Sequence, residues 1–171
     1  MKAEKPKEIL WAPWRMEYIL SAKDEKNPRC IFCDRSPYPD RDQENLILYR
    51  GNTGFVIMNR FPYNSGHLMV VPYRHSGDLT ALESSEKLEI MEIIQLCVEA
   101  LDEAMQPHGY NIGMNLGRIA GAGVEDHLHY HVVPRWSGDT NFMPVIANTK
   151  VISEALEKTY AKLKTVFDRG K

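Results

Sequence analysis

The sequence predicts an α+β domain, an antiparallel sheet carrying one long helix and a C-terminal helix, and three observations predict it. Short β-rich runs bounded by Gly, Asn and Pro fall in two groups, at 46–72 and 110–136. Between them, from about Leu79 to Met105, Ile90, Ile94, Cys97, Leu101 and Ala104 follow the 4-3-4-3 steps of a helix face. A second helical stripe, Ile152, Leu156, Tyr160, Leu163 and Phe167, closes the chain. The resulting order β-β-β-α-β-β-α favours strands paired with their sequence neighbours and helices packed on the sheet.

Each element has a local reason. LILYR at 46–50 and GFVIMN at 54–59 are separated by Gly51 and Asn52, the turn chemistry of a hairpin. HLMVVP at 67–72 is an unbroken apolar run, a strand buried on both faces and stopped by Pro72. Thr80 with Glu83 has the spacing of a capping box for the long helix, and Pro107, His108 and Gly109 end it. YNIGMNLG at 110–117 and HLHYHVVPRW at 127–136 read as strands around the glycine-rich RIAGAGVED at 118–126. CIFCDRSPYPDRDQEN at 30–45, with two prolines and six charges, reads as a mobile loop. Residues 1–29 form an N-terminal arm that packs through Trp11 and Trp14, 30–136 the domain core, and 137–171 a C-terminal extension with its helix.

Composition bounds the function. At 171 residues, 43% apolar and 26% charged, the chain suits one soluble domain with its own core. Twenty-one basic against 23 acidic residues leave a net charge of -2, which gives no field for gripping nucleic acid, so any phosphate is held locally. No apolar stretch approaches the ~20 residues of a membrane span, and MKAEKPKEIL has no signal-peptide core, so a cytoplasmic address is expected. Three cysteines, Cys30, Cys33 and Cys97, do not make a disulfide framework. Cys97 lies on the long helix's apolar stripe and reads as core.

The chemistry concentrates in a few places. In a strand, His127, His129 and His131 project to one side while Leu128, Tyr130 and Val132 face the other. Half of the six histidines would thus line one strip of surface, a costly choice for plain packing because imidazoles titrate near neutrality. Just upstream, Gly121, Ala122 and Gly123 can bring consecutive amides to an anion, although such a run alone is more often a plain turn. Trp136 offers either an aromatic face for a base or a core side chain. Cys30 and Cys33, spaced C-x-x-C, read as a zinc pair needing two further ligands, with His75 and His127 as candidates, or as free thiols.

HLHYHVV at 127–133 matches the alternating His-apolar signature of the histidine triad family, and the chain resembles that family of nucleotide hydrolases and transferases. FVIMNRFPYNSGHLMVVPYRH at 55–75 is similar to the family's central hairpin and NLG at 115–117 to its phosphate-side strand. More narrowly, AGAGVEDHLHYHVVPRWSGDTNFMP and the arm WAPWRMEYI resemble the bacterial diadenosine tetraphosphate phosphorylase branch. The resemblance implies a HIT-like fold and a role for each matched residue. His129 would attack an α-phosphorus to give a nucleotidyl-histidine intermediate, with His131 donating a hydrogen bond to a phosphate oxygen or the leaving group. The amides of Gly121, Ala122 and Gly123, the Asn115 side chain and His67 would stabilise phosphoryl charge, and Asn59 would hold the ribose. Members that carry C-x-x-C imply a structural zinc on Cys30, Cys33, His75 and His127. The resemblance also implies a homodimer acting on adenine nucleotides, with the arm and the C-terminal stripe as candidates for added subunit contacts. Phosphate as acceptor makes a phosphorylase, water a hydrolase and an amine leaving group a phosphoramidase; a non-catalytic AMP-binding protein is the alternative from another class.

Overall fold

The computed structural model describes residues 30–139 and 154–169. The arm with Trp11 and Trp14, and Ile152 of the last stripe, lie outside them. In chain order the elements are α1 (Ile31–Arg35), α2 (Asp42–Asn45), β1 (Ile47–Arg50), β2 (Gly54–Met58), β3 (Leu68–Pro72), α3 (Ser84–Met105), β4 (Gly109–Gly113), β5 (Tyr130–Arg135) and α4 (Leu156–Arg169). The five strands form one antiparallel sheet in the order β1-β2-β3-β5-β4, so the last strand is inserted between β3 and β4. Every residue of β2 and β3 is buried, as the uninterrupted apolar runs demand.

The long helix starts later than its apolar pattern suggests. Leu79–Ala81 is a separate turn of 3-10 helix, whose Thr80 amide is capped by the Asp78 carboxylate. The capping box belongs to Glu83 and Glu86, not to Thr80 and Glu83. Leu82 and Glu83 are extended, so α3 begins at Ser84, and Glu86 is claimed a second time by the Arg74 guanidinium at 2.9 Å. The helix ends at Gln106, in the left-handed region at φ 48°, because Pro107 cannot continue it. Ile90, Ile94, Cys97 and Leu101 are buried as expected, with Ile93 and Ala100 beside them.

Two expectations fail here. The 30–45 segment is not an open loop but two short helices and a 3-10 turn, tied down by Arg50, which donates to Asp42 at 2.6 Å and to the Ser36 carbonyl at 2.6 Å. The C-terminal stripe is not a surface for subunit contacts: Tyr160, Leu163 and Phe167 are buried in the chain's own core, and the Tyr160 hydroxyl donates to the Ile47 carbonyl. Packing α4 on β1 covers one edge of the sheet, whereas β4 at the other edge presents Asn111, Ile112 and Gly113 exposed.

Candidate functional site

Strand β5 begins at Tyr130 rather than at His127, because the Leu128 amide donates to Ser76 instead of joining the ladder. Strand alternation therefore does not govern all three histidines. His127 and His129 are not on a strip of surface but are 1% and 6% exposed. Each is fixed by a carbonyl, and a carbonyl can only accept, so the imidazole nitrogen facing it carries the proton.

His127 donates from Nε2 to the Pro72 carbonyl at 2.8 Å, which leaves the lone pair on Nδ1. That nitrogen lies 3.2 Å from Cys30 Sγ, 3.5 Å from Cys33 Sγ and 3.2 Å from His75 Nδ1, with Cys33 Sγ 3.3 Å from His75 Nδ1. The four ligand atoms lie within 4.8 Å of one another. Ligands about 2.0 to 2.3 Å from a tetrahedral zinc stand roughly 3.3 to 3.8 Å apart, so the cluster has the size and donor set of a closed Cys2His2 site. The Pro72 carbonyl supplies the orienting contact that metal-bound imidazoles require. Burial, then the neighbouring Cys30, pushes the Cys33 thiol up to about 11, a penalty that a cation between the sulfurs would reverse. Phe32, between the two cysteines in α1, packs its ring 5.3 Å from His127 and 5.2 Å from His129.

His129 donates from Nδ1 to the carbonyl of His127 at 2.9 Å, which leaves its lone pair on Nε2. Burial outweighs that hydrogen bond and holds the imidazole below its ordinary pKa, hence neutral and nucleophilic. Its ring lies edge-on to His131 at 5.0 Å. His131, level with Met69 on β3 and Gly113 on β4, meets His67 Nε2 through Nδ1 at 2.9 Å. His67 enters from the β2–β3 turn, where Gly66 takes a φ of +76° and a Cβ would stand 2.7 Å from Met105 Sδ. The same turn places Tyr63 stacked on the His67 ring and Asn59 at the end of β2, its Oδ1 accepting from the Phe61 amide. A cavity of about 230 Å³ borders this turn, lined by Asn59, Arg60 and His67, by Thr159 of α4 and by Glu154 just before that helix.

The remaining expected residues stand apart. The Gly121 amide donates to the Arg118 carbonyl and the Ala122 amide to the Gly117 carbonyl, so two of the three cradle amides are used within their own loop. Gly123 is exposed. Asn115 reaches the same loop, donating to the Gly121 carbonyl at 3.4 Å. Half-buried Trp136 follows β5, its amide donating to Asp139 Oδ2. The Arg135 guanidinium beside Asp139, with the Trp136 amide and Asn64, holds that carboxyl far below the usual range. Phe32, Tyr63, Asn64, Pro72 and Asp139 all lie inside the quoted motifs, but none of them was assigned a role in the site from sequence.

Comparison with known proteins shows the family. The HIT domain model matches residues 40–138. The chain belongs to the HIT domain family. A protein of Mycobacterium tuberculosis named AP-4-A phosphorylase is 40% identical over 164 residues, covering 94% of this chain and 84% of the relative. An adenosine 5'-monophosphoramidase of Schizosaccharomyces pombe is 32% identical over 106 residues, 62% of this chain and 74% of its own length. Among solved structures, a Zn-bound histidine triad family protein from Mycobacterium smegmatis superposes with a TM-score of 0.65 at 25% identity, covering 82% of this chain and 94% of that one. Like its HIT relatives this chain is an enzyme, and among the described residues no helix is long and apolar enough to cross a membrane.

Proposed function

We propose that the enzyme phosphorolyses diadenosine tetraphosphate to ADP and ATP by way of an adenylyl-histidine at His129. One observation carries the reading: the His127 carbonyl holds the proton of His129 on Nδ1, so the Nε2 lone pair of a buried, neutral imidazole is the nucleophile. That nitrogen forms a bond to an α-phosphorus, and the bond from this phosphorus to its bridging oxygen breaks, the electron pair leaving with ATP. A phosphate oxygen then attacks the same phosphorus, gives ADP and returns the pair to Nε2. His131 donates a hydrogen bond to the phosphoryl oxygens, with His67 behind it, and Asn115 shares the charge. The amides of Gly121, Ala122 and Gly123 join once substrate displaces the turn contacts of the first two. Asn59 holds the ribose and Trp136 faces the base.

Cys30, Cys33, His75 and His127 hold zinc in this reading. The ion would supply a structural crosslink among these four side chains, and Cys30 and Cys33 would then keep α1 and Phe32 against the histidines. The thiols, free of disulfides, fit the reducing cytoplasm in which adenine nucleotides are used. The name of the M. tuberculosis relative supports the choice of substrate and acceptor. The name of the S. pombe relative favours a phosphoramidase as the second reading. The edge of β4, which no other strand covers among the described residues, and exposed Ile112 support a second copy pairing there as a homodimer, which light scattering decides.

Purified enzyme incubated with diadenosine tetraphosphate is expected to release ADP and ATP only when phosphate is present. Equal release of AMP with and without phosphate, and no ADP, would show a hydrolase instead.

A further inference from the structure

Beside the nucleophile lies a chain of hydrogen bonds that fixes which nitrogen of His131 bears its proton. The Tyr63 amide can only donate, and it donates to His67 Nδ1 at 3.0 Å. His67 therefore carries its proton on Nε2. That proton points at His131 Nδ1, 2.9 Å away, which must accept it. His131 is left as the Nε2–H tautomer, and a second proton on its Nδ1 would face the His67 proton directly.

The tautomer thus depends on where the Tyr63 amide is held, and two side chains outside the triad hold it. Asn64 donates from Nδ2 both to Asp139 Oδ2 at 2.8 Å and to the Pro134 carbonyl at 3.0 Å, while its own carbonyl accepts from the His67 amide at 3.1 Å. Asp139 is itself clamped by Arg135 at 2.6 and 2.9 Å. The β2–β3 turn is in this way pinned to the far end of the same strand that carries His131.

We propose that Asn64 and Asp139 are positioning residues of this enzyme, holding the turn so that the Tyr63 amide, through His67, locks His131 as a neutral Nε2–H donor for the substrate's phosphate. The proposal rests on the adenylyl-transfer reading for its catalytic consequence, but the tautomers themselves do not. A locked His131 offers a hydrogen bond of fixed direction at every turnover. An unlocked ring would spend part of its time presenting a bare nitrogen lone pair to an anionic phosphate.

Imidazole nitrogen NMR on the wild-type enzyme without substrate reads both tautomers. His67 and His131 are each expected as the Nε2–H form, and an Nδ1–H form of either overturns the lock. In Asn64→Ala and Asp139→Ala the two rings are expected to populate mixed tautomers, with kcat lower by about tenfold and KM within about twofold of wild type. Asp139→Asn, which keeps an oxygen for the Asn64 amide, is expected to restore the single tautomer and most of kcat. Unchanged tautomers in both alanine variants, or mixed tautomers with unchanged kcat, overturn the positioning role. If one alanine variant does not fold, the other and Asp139→Asn give the same contrast. Should the phosphate assay fail while wild type shows both Nε2–H forms, the fault lies with the assigned reaction and not with the lock.

Discussion

His127 and His129 are two residues apart on one stretch of chain, both buried, both held by a backbone carbonyl, and yet they are prepared for opposite tasks. At His127 the Pro72 carbonyl takes the Nε2 proton and turns Nδ1 toward two sulfurs and His75. At His129 the His127 carbonyl takes the Nδ1 proton and leaves Nε2 for chemistry. The side chains are identical, so the difference lies wholly in which nitrogen the main chain occupies. The acceptor behind a histidine decides which nitrogen it offers, and here the two carbonyls leave Nδ1 of His127 and Nε2 of His129 with the lone pair, as the proposed ligand and nucleophile roles require.

The sharpest break in this comparison is His129→Ala, expected to lower turnover by about a thousandfold or more while AMP binding, followed by calorimetry, changes little. A variant that still turned over at a tenth of the wild-type rate would remove His129 from the nucleophile's role. Next in size is Cys33→Ser, which should abolish bound metal by elemental analysis, lower Tm and cut turnover by roughly 10- to 100-fold. A chelator applied to the wild type should reproduce it. Wild-type enzyme purified without stoichiometric metal would sink the metal half of the comparison.

The smallest effect is expected on the support of the metal side. Glu86 accepts from Arg74, which precedes His75, and from the Glu83 amide, and these contacts hold its carboxyl below the ordinary range. A depressed carboxylate stabilises the fold above its unfolded pKa, and that contribution disappears as pH falls through the folded value. Glu86→Gln is therefore expected to lower Tm by roughly 2 °C at neutral pH, and the gap to wild type should close as acid takes the pH from the ordinary carboxylate range down through the depressed value in the folded state. A gap that persists in acid would mean that the charge on Glu86 is not what supports this corner.

The strands, their antiparallel sense and the two helices were legible because apolar runs and a 3.6-residue period report burial directly, but pairing between sequence neighbours fails at β3, which pairs with β5 instead of β4. The grouping of Cys30, Cys33, His75 and His127 was legible as well, since their side chains carry metal-ligating atoms, and the structure brings those atoms together. Boundaries set by backbone partners were not legible. The capping box moved from Thr80 to Glu83 because Leu82 stays extended, and β5 starts late because the Leu128 amide is taken by Ser76. The tautomers were equally hidden, since Pro72, Tyr63 and His127 act through peptide groups that every residue has. The glycine-rich loop shows the converse: sequence identified flexible amides but not that Gly121 and Ala122 would turn theirs inward.

One feature of the topology bears on how the chain reaches its final state. Strand β5 is the last of the described strands in sequence, yet it sits between β3 and β4, so pairing of sequence neighbours alone does not complete the sheet. Cys30 and His127, the outer members of the candidate metal set, are 97 residues apart, so their contact is one of the costlier loop closures in the chain. Capture of a metal by these four residues would close one of the longest loops in the chain, and the same closure would bring His129, two residues further on, against Phe32.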